Sequence, residues 1–147
     1  MGQKGIVAAG HPETARAATQ ILELGGNAFD AALAALCAAC VAEPLLASLG
    51  GGGFLLAKSE DRGAEIYDFF VQTPRHKPRE GEVDFYPIQA DFGTAQQEFH
   101  IGLGSMAVPG VVAGLFEIHQ RLCRLPLDRK STRLNSSHSS VSRMPSS

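Results

Sequence analysis

From Asn27 to Ala42 the chain is an almost unbroken run of Ala, Leu, Val, Phe and Cys, with Asp30 its one charge. A helix of that composition has no polar face, so the pattern predicts one buried on all sides. Asn27 suits its N-cap and Asp30 its first turn, and Pro44 after Glu43 forbids its continuation. Upstream, Gly5 to Ala9 reads as a short buried strand. Pro12 and Glu13 then open a helix whose buried side is Ala17, Ala18, Ile21, Leu22 and Leu24, ended by Gly25. Downstream, Gly50, Gly51, Gly52 and Gly53 allow unusual backbone conformations or the close approach of another segment. They lead into two apolar stretches, Phe54 to Lys58 and Glu65 to Val71, which read as a hairpin turning at Glu60-Asp61-Arg62-Gly63.

Between Thr73 and about Glu98 no period persists, three prolines intervene and the charges are mixed, which predicts a long surface excursion of the kind that often carries function. Pro109-Gly110 then leads into a helix from Val111 to Leu122. Val112, Leu115, Phe116, His119 and Leu122 are expected near its buried face, with Glu117, Gln120 and Arg121 toward water. Helices feeding strands through glycine-lined entrances predict an α/β chain of the layered α+β kind.

The composition changes near Asp128. A basic run, Arg129-Lys130-Ser131-Thr132-Arg133, gives way to a serine-rich end without acids that cannot bury enough apolar surface to fold. Residues 1–127 are therefore expected to form the structured part. Residues 128–147 read as a disordered tail, or as a non-native one resembling translated adapter read-through. The 147 residues carry a net charge of −2, which argues against broad attraction to nucleic acid or anionic lipid and leaves small-molecule or protein partners as the default. No run reaches the ~18 apolar residues of a membrane helix, and no apolar region follows the start. As written, the chain reads as cytoplasmic. Gly2 lacks the Ser or Thr four residues on that myristoylation favours, since Ile6 stands there. Three cysteines, an odd number, fit a reducing compartment better than a disulfide scaffold.

Most chemical motifs dissolve on inspection. Cys37 and Cys40 have redox or metal spacing, but they sit inside the apolar helix without a second pair and read as small core residues. Gly102-Leu103-Gly104-Ser105-Met106-Ala107 matches a loose nucleotide fingerprint, yet Pro109 stands where the phosphate-binding helix should already run, so a turn accounts for it better. The Gly50 to Gly53 run lacks the Lys-Ser/Thr of a P-loop. His11, His76, His100, His119 and His138 are scattered, without the clustered carboxylates or paired histidines of a metal site, and no G-x-S-x-G elbow is present. The residues offer no cofactor site.

Several blocks together do carry information. Gly25-Gly26-Asn27-Ala28-Phe29-Asp30-Ala31-Ala32, Glu43-Pro44 and Leu49 to Phe54 resemble the amino-terminal part of the gamma-glutamyltransferase family. His11-Pro12, Tyr67-Asp68-Phe69 before Thr73-Pro74, and Ala107 to Gly114 agree with it in order and spacing. The similarity runs from about Gly5 to about Leu127.

The resemblance implies an amino-terminal-nucleophile hydrolase with an αββα sandwich, of which this chain would supply part. It implies a precursor that cuts itself so that a threonine, leading a new small subunit, attacks the gamma-glutamyl amide of glutathione-like substrates. The matching blocks belong to the front of the large subunit, so no catalytic residue is expected within this chain and its partner would be the remainder of its own precursor. The family block aligned with Asp68 to Pro74 carries an arginine for the substrate's α-carboxylate where this chain has Phe70. Losing that bidentate contact costs roughly 1.5 to 3 kcal/mol. Either the parent acts on another amide, such as an acylated amine or a β-lactam side chain, or Phe70 repacks the strand and the carboxylate is held elsewhere, with Arg75 and Arg79 the candidates. Two rival readings use the same residues: a non-catalytic binding module presenting the 73–98 loop, and a nucleotide-binding domain built on the glycines.

Overall fold

The computed structural model describes residues 5–76, 79 and 81–127. Helix α1, Pro12–Glu23, begins where His11 Nδ1 accepts the Glu13 N–H at 3.1 Å, with Pro12 at the position that needs no donor. It ends in a Schellman turn: Gly26 N–H donates to the Ile21 carbonyl and Gly25 N–H to that of Leu22, with Gly25 at φ +90°. Helix α2, Ala28–Ala42, opens with a reciprocal capping box in which Asn27 and Asp30 each accept the other's backbone N–H at 2.9 Å. Strands β1, Phe54–Ser59, and β2, Gly63–Asp68, form the expected antiparallel hairpin, with Leu56 opposite Ile66. Helix α3 spans Val111–Leu122.

Two small cores hold these elements together. Ala18 and Ile21 of α1 meet Ala31 and Ala34 of α2, with Val7 and Leu125 packed against them. Leu33 of α2 meets Leu115 and Ile118 of α3, and Leu55, Tyr67 and Phe69 close that cluster from the hairpin. Strand alternation explains the division: Leu55, Ala57 and Tyr67 turn inward, while Phe54, Leu56 and Ile66 stay exposed on the opposite face. Both sheets are two-stranded and antiparallel, so the architecture is α+β.

Three expectations need correction. Gly5 to Ala9 is not a strand: it finds no sheet partner among the described residues and instead lines a cleft with Leu22 and Ala31 on α1 and α2. Among the described residues α2 is covered by α1 and by the α3–hairpin layer, and Val41 is 74% exposed, the apolar surface that a part of a larger layered domain leaves open. The 73–98 stretch lies at the surface, as expected, but carries strands that its sequence pattern does not predict. It enters a second hairpin, β3 Tyr86–Asp91 and β4 Gln96–Ile101, turning through Gly93 at φ +84°. Pro87 is tolerated there because β3 pairs on one side only. The buried face of α3 is also rotated from the expected one: Val111, Gly114, Leu115 and Ile118 are buried, whereas Val112 and Phe116 are exposed. The serine-rich run assigned to residues 128–147 lies outside the described residues.

Candidate functional site

The glycine run, the segment after β2 and the approach to α3 converge on one another. Gly53 and Phe69 exchange both backbone hydrogen bonds, at 3.1 and 3.3 Å, carrying the hairpin ladder one pair beyond Phe54 and Asp68. Gly51 then offers its carbonyl to two donors, Gly110 N–H at 2.9 Å and Val111 N–H at 3.2 Å, which fixes the start of α3. Gln72 and Val108 form a further reciprocal pair at 3.0 and 2.7 Å. Residues 69–72 are thereby clamped between two other stretches of backbone.

The clamp explains which glycines are required. A Cβ on Gly52 would lie 2.4 Å from the Val71 nitrogen, and one on Gly110 would lie 2.0 Å from the Phe69 carbonyl oxygen. Both approaches involve backbone, which cannot swing aside. On Gly114 a Cβ would meet Phe69 Cγ at 2.4 Å, so this helical glycine makes the slot into which the Phe69 ring packs. Gly50 has ordinary room, with Ser48 Oγ 3.5 Å from its would-be Cβ.

Phe70 stands at the open end of this clamp. Its N–H donates to Asp68 Oδ1 at 3.0 Å, an Asx turn that reverses the chain as it leaves β2. Its ring lies on that of Phe54 with centroids 5.4 Å apart and planes inclined by 12°. Phe70 is about half exposed among the described residues. Arg75 and Arg79 are exposed on the loop that follows, and no hydrogen bond or ion pair joins either to Phe70 among the described residues. Beyond Thr73, a cleft of about 550 Å³ opens between Pro74, His76 and Glu82 on one side and Leu103 and Gly104 on the other.

The remaining candidates resolve into structural roles. Gly102 to Ser105 is a turn held by Asp84, whose carbonyl accepts the Gly104 N–H at 2.7 Å and whose carboxylate accepts the Leu103 N–H at 3.1 Å. Helix α3 begins only at Val111, too late for a phosphate fingerprint. The Cys40 thiol is pushed up by burial, partly offset by a backbone hydrogen bond, the opposite of an activated thiolate. Tyr67 is likewise pushed up, first by burial and then by the hydrogen bond its hydroxyl donates to Glu65 at 3.1 Å. His119 Nε2 lies 3.1 Å from the Leu125 carbonyl, and the His100 ring stacks on Phe85. Among the described residues no three His, Cys, Asp or Glu side chains converge as a metal site would require, and no helix is long and apolar enough to cross a membrane.

Sequence reasoning missed Phe54, Gly110 and Gly114 as parts of this constellation. For Gly114 a signal existed, because a glycine inside a helix carries a propensity cost that a close approach can justify.

Helices α2 and α3 pack on one face of an antiparallel hairpin, with a glycine-backed clamp at the strand ends, which defines a layered α+β protein. The solved structure of gamma-glutamyltranspeptidase from Pseudomonas nitroreducens, complexed with L-DON, matches with a TM-score of 0.68 and 25% identity over 96% of this chain and 45% of that one. A family model described as Gamma-glutamyltranspeptidase matches residues 14–130, and the chain belongs to that family. An acylase ACY 1 proenzyme of Pseudomonas sp. (strain V22) is 35% identical over 131 residues, covering 86% of this chain and 23% of the relative. Glutathione hydrolase 3 of Arabidopsis thaliana is 34% identical over 125 residues, 84% of this chain and 18% of the relative. The chain thus spans about a quarter, or less, of the length of these curated relatives.

Proposed function

We propose that this chain serves as the amino-terminal part of the large subunit of an autoprocessed amide hydrolase or transferase, and that the substrate is an acyl amide lacking the glutamyl α-carboxylate. The reaction is attack of a threonine, supplied by the rest of the precursor, on the amide carbonyl, followed by transfer of the acyl group to water or to an amine. The contribution of this chain is positioning: the glycine clamp holds residues 69–72 at the substrate, and residue 70 meets the acyl group.

The observation that carries the reading is Phe70, exposed and stacked on Phe54 at the position where the resemblance calls for a carboxylate-binding arginine. A ring provides no donor for a carboxylate, and a charged group laid against it loses hydration without compensation. The acylase proenzyme among the relatives fits the same reading. The test is Phe70→Arg in the full-length enzyme, assayed on γ-glutamyl and phenylacetyl p-nitroanilides. The ratio of kcat/KM should move toward the γ-glutamyl substrate by about 10- to 150-fold, the worth of a charge-assisted contact. An unchanged ratio would sink the specificity assignment.

A second reading keeps γ-glutamyl specificity, and the exposed guanidinium groups on the loop after Phe70 are the observation in its favour. On that reading Arg75→Ala or Arg79→Ala lowers kcat/KM for the γ-glutamyl substrate selectively, and on the acyl-amide reading neither does.

A further inference from the structure

Resting on the acyl-amide reading, the geometry points to Phe54 as a second specificity-determining residue, which forms with Phe70 one aromatic plate for an apolar acyl group. The two rings come from different segments, Phe54 from the first position of β1 and Phe70 from the turn after β2. They meet because Phe54 pairs with Asp68, and the Asp68 carboxylate in turn fixes the Phe70 N–H at 3.0 Å. Gly52 holds the same turn from behind, since its would-be Cβ falls 2.8 Å from the Phe70 Cα. The plate is therefore set by backbone constraints on both sides.

Its chemistry is uniform. The rings lie 5.4 Å apart at 12°, an offset stack, and both remain open on the face that also carries Leu56 and Ile66. Neither Phe side chain offers a hydrogen-bond donor or a charge to the acyl group. A phenyl or alkyl acyl group gains by covering the rings, whereas a group with a free carboxylate is desolvated there without a partner. The substrate class that follows is the amide of an aromatic or alkyl-substituted acid. In this arrangement Phe54 contributes contact area of its own and also supports the orientation of the Phe70 ring.

The experiment measures KM and kcat of the full-length enzyme for phenylacetyl and acetyl p-nitroanilides, with Phe54→Ala and Phe54→Leu. Phe54→Ala should raise KM for the phenylacetyl substrate about three- to tenfold, the worth of one aromatic stack, while KM for the acetyl substrate changes by less than about twofold. Phe54→Leu keeps the apolar volume, guards against a folding defect and should restore part of the loss. Equal loss on both substrates, or no loss on either, overturns the role of Phe54. An unmodified enzyme that cleaves the γ-glutamyl anilide but neither acyl anilide overturns the underlying acyl-amide reading instead, a result distinguishable from failure of Phe54 alone.

Discussion

The carboxylate of Asp30 accepts the backbone N–H of Leu125 at 3.2 Å, across a sequence separation of 95 residues. The same fully buried carboxylate takes the N–H groups of Arg124 at 3.1 Å and Asn27 at 2.9 Å, while Asn27 Nδ2 donates to the Leu122 carbonyl at 2.7 Å. The cap of α2 is thus also the latch for the chain leaving α3. Asp30→Ala would strand three backbone donors. Leaving a buried donor unsatisfied costs roughly 1 to 3 kcal/mol, so exchange of the Arg124 and Leu125 amides should accelerate at least about tenfold. Hydrogen exchange followed by mass spectrometry reads this directly, and unaltered protection of residues 123–127 would show that the latch carries no such energy.

The glycine run predicts a sharp asymmetry. Gly52→Ala drives a Cβ to within 2.4 Å of backbone, whereas Gly50→Ala meets only Ser48 Oγ at 3.5 Å. The first should destabilise the full-length protein by about 1 to 3 kcal/mol or more, through forced displacement of residues 69–72, and the second by less than about 0.5 kcal/mol. Denaturant midpoints of the two variants decide it. Equal effects would mean that the run matters for flexibility rather than for the clamp.

What could be read from sequence follows from where the apolar signal is unambiguous. Pro12, Gly25, Asn27 and Pro44 set the bounds of α1 and α2 because caps and breakers act locally. The β1–β2 hairpin was legible because one face of it enters the core. The β3–β4 hairpin was not: an isolated ribbon exposed on both faces has no buried side to impose alternation, and Pro87 argued against a strand. Helix α3 carries two apolar stripes, Val111-Leu115-Ile118 and Val112-Phe116-His119, and only the slot that Gly114 opens for Phe69 selects between them. At the site, Phe70 could be picked out through the family resemblance. Its partnership with Phe54 could not, since it depends on strand register and on one Asx turn.

Cys40 supplies a check on the core assignment of the Cys37/Cys40 pair. Burial holds its thiol above the ordinary value of 9.0, so at pH 8 to 9 the folded protein keeps it protonated more than an unfolded chain would. The sign is that of a raised group: the stabilising difference is complete below the unfolded pKa and is lost as pH rises through the folded one. Alkylation of Cys40 by iodoacetamide should therefore be slower in the folded protein than in denaturant, with its half-maximal pH displaced upward. Rapid modification at pH 7 would mean an activated thiol and would reopen the redox reading.

The most general expectation concerns the 147-residue chain by itself. Leu45 and Leu46 are 98% and 85% exposed, and Val41 at the end of α2 is exposed beside them in sequence. Contiguous apolar surface of this kind marks an interaction face or an aggregation liability. In a chain whose relatives are several times longer, the partner in keeping with the function proposed above is the remainder of the same precursor. Expressed alone, the chain should bind the dye ANS, elute in size-exclusion chromatography as a mixture of associated species and melt without a single cooperative transition. Co-expression with the remaining precursor segment should abolish the dye binding. A monodisperse chain with one sharp thermal transition would instead favour the rival in which these residues form a complete binding module, because the exposed leucines would then be compatible with an independently stable fold.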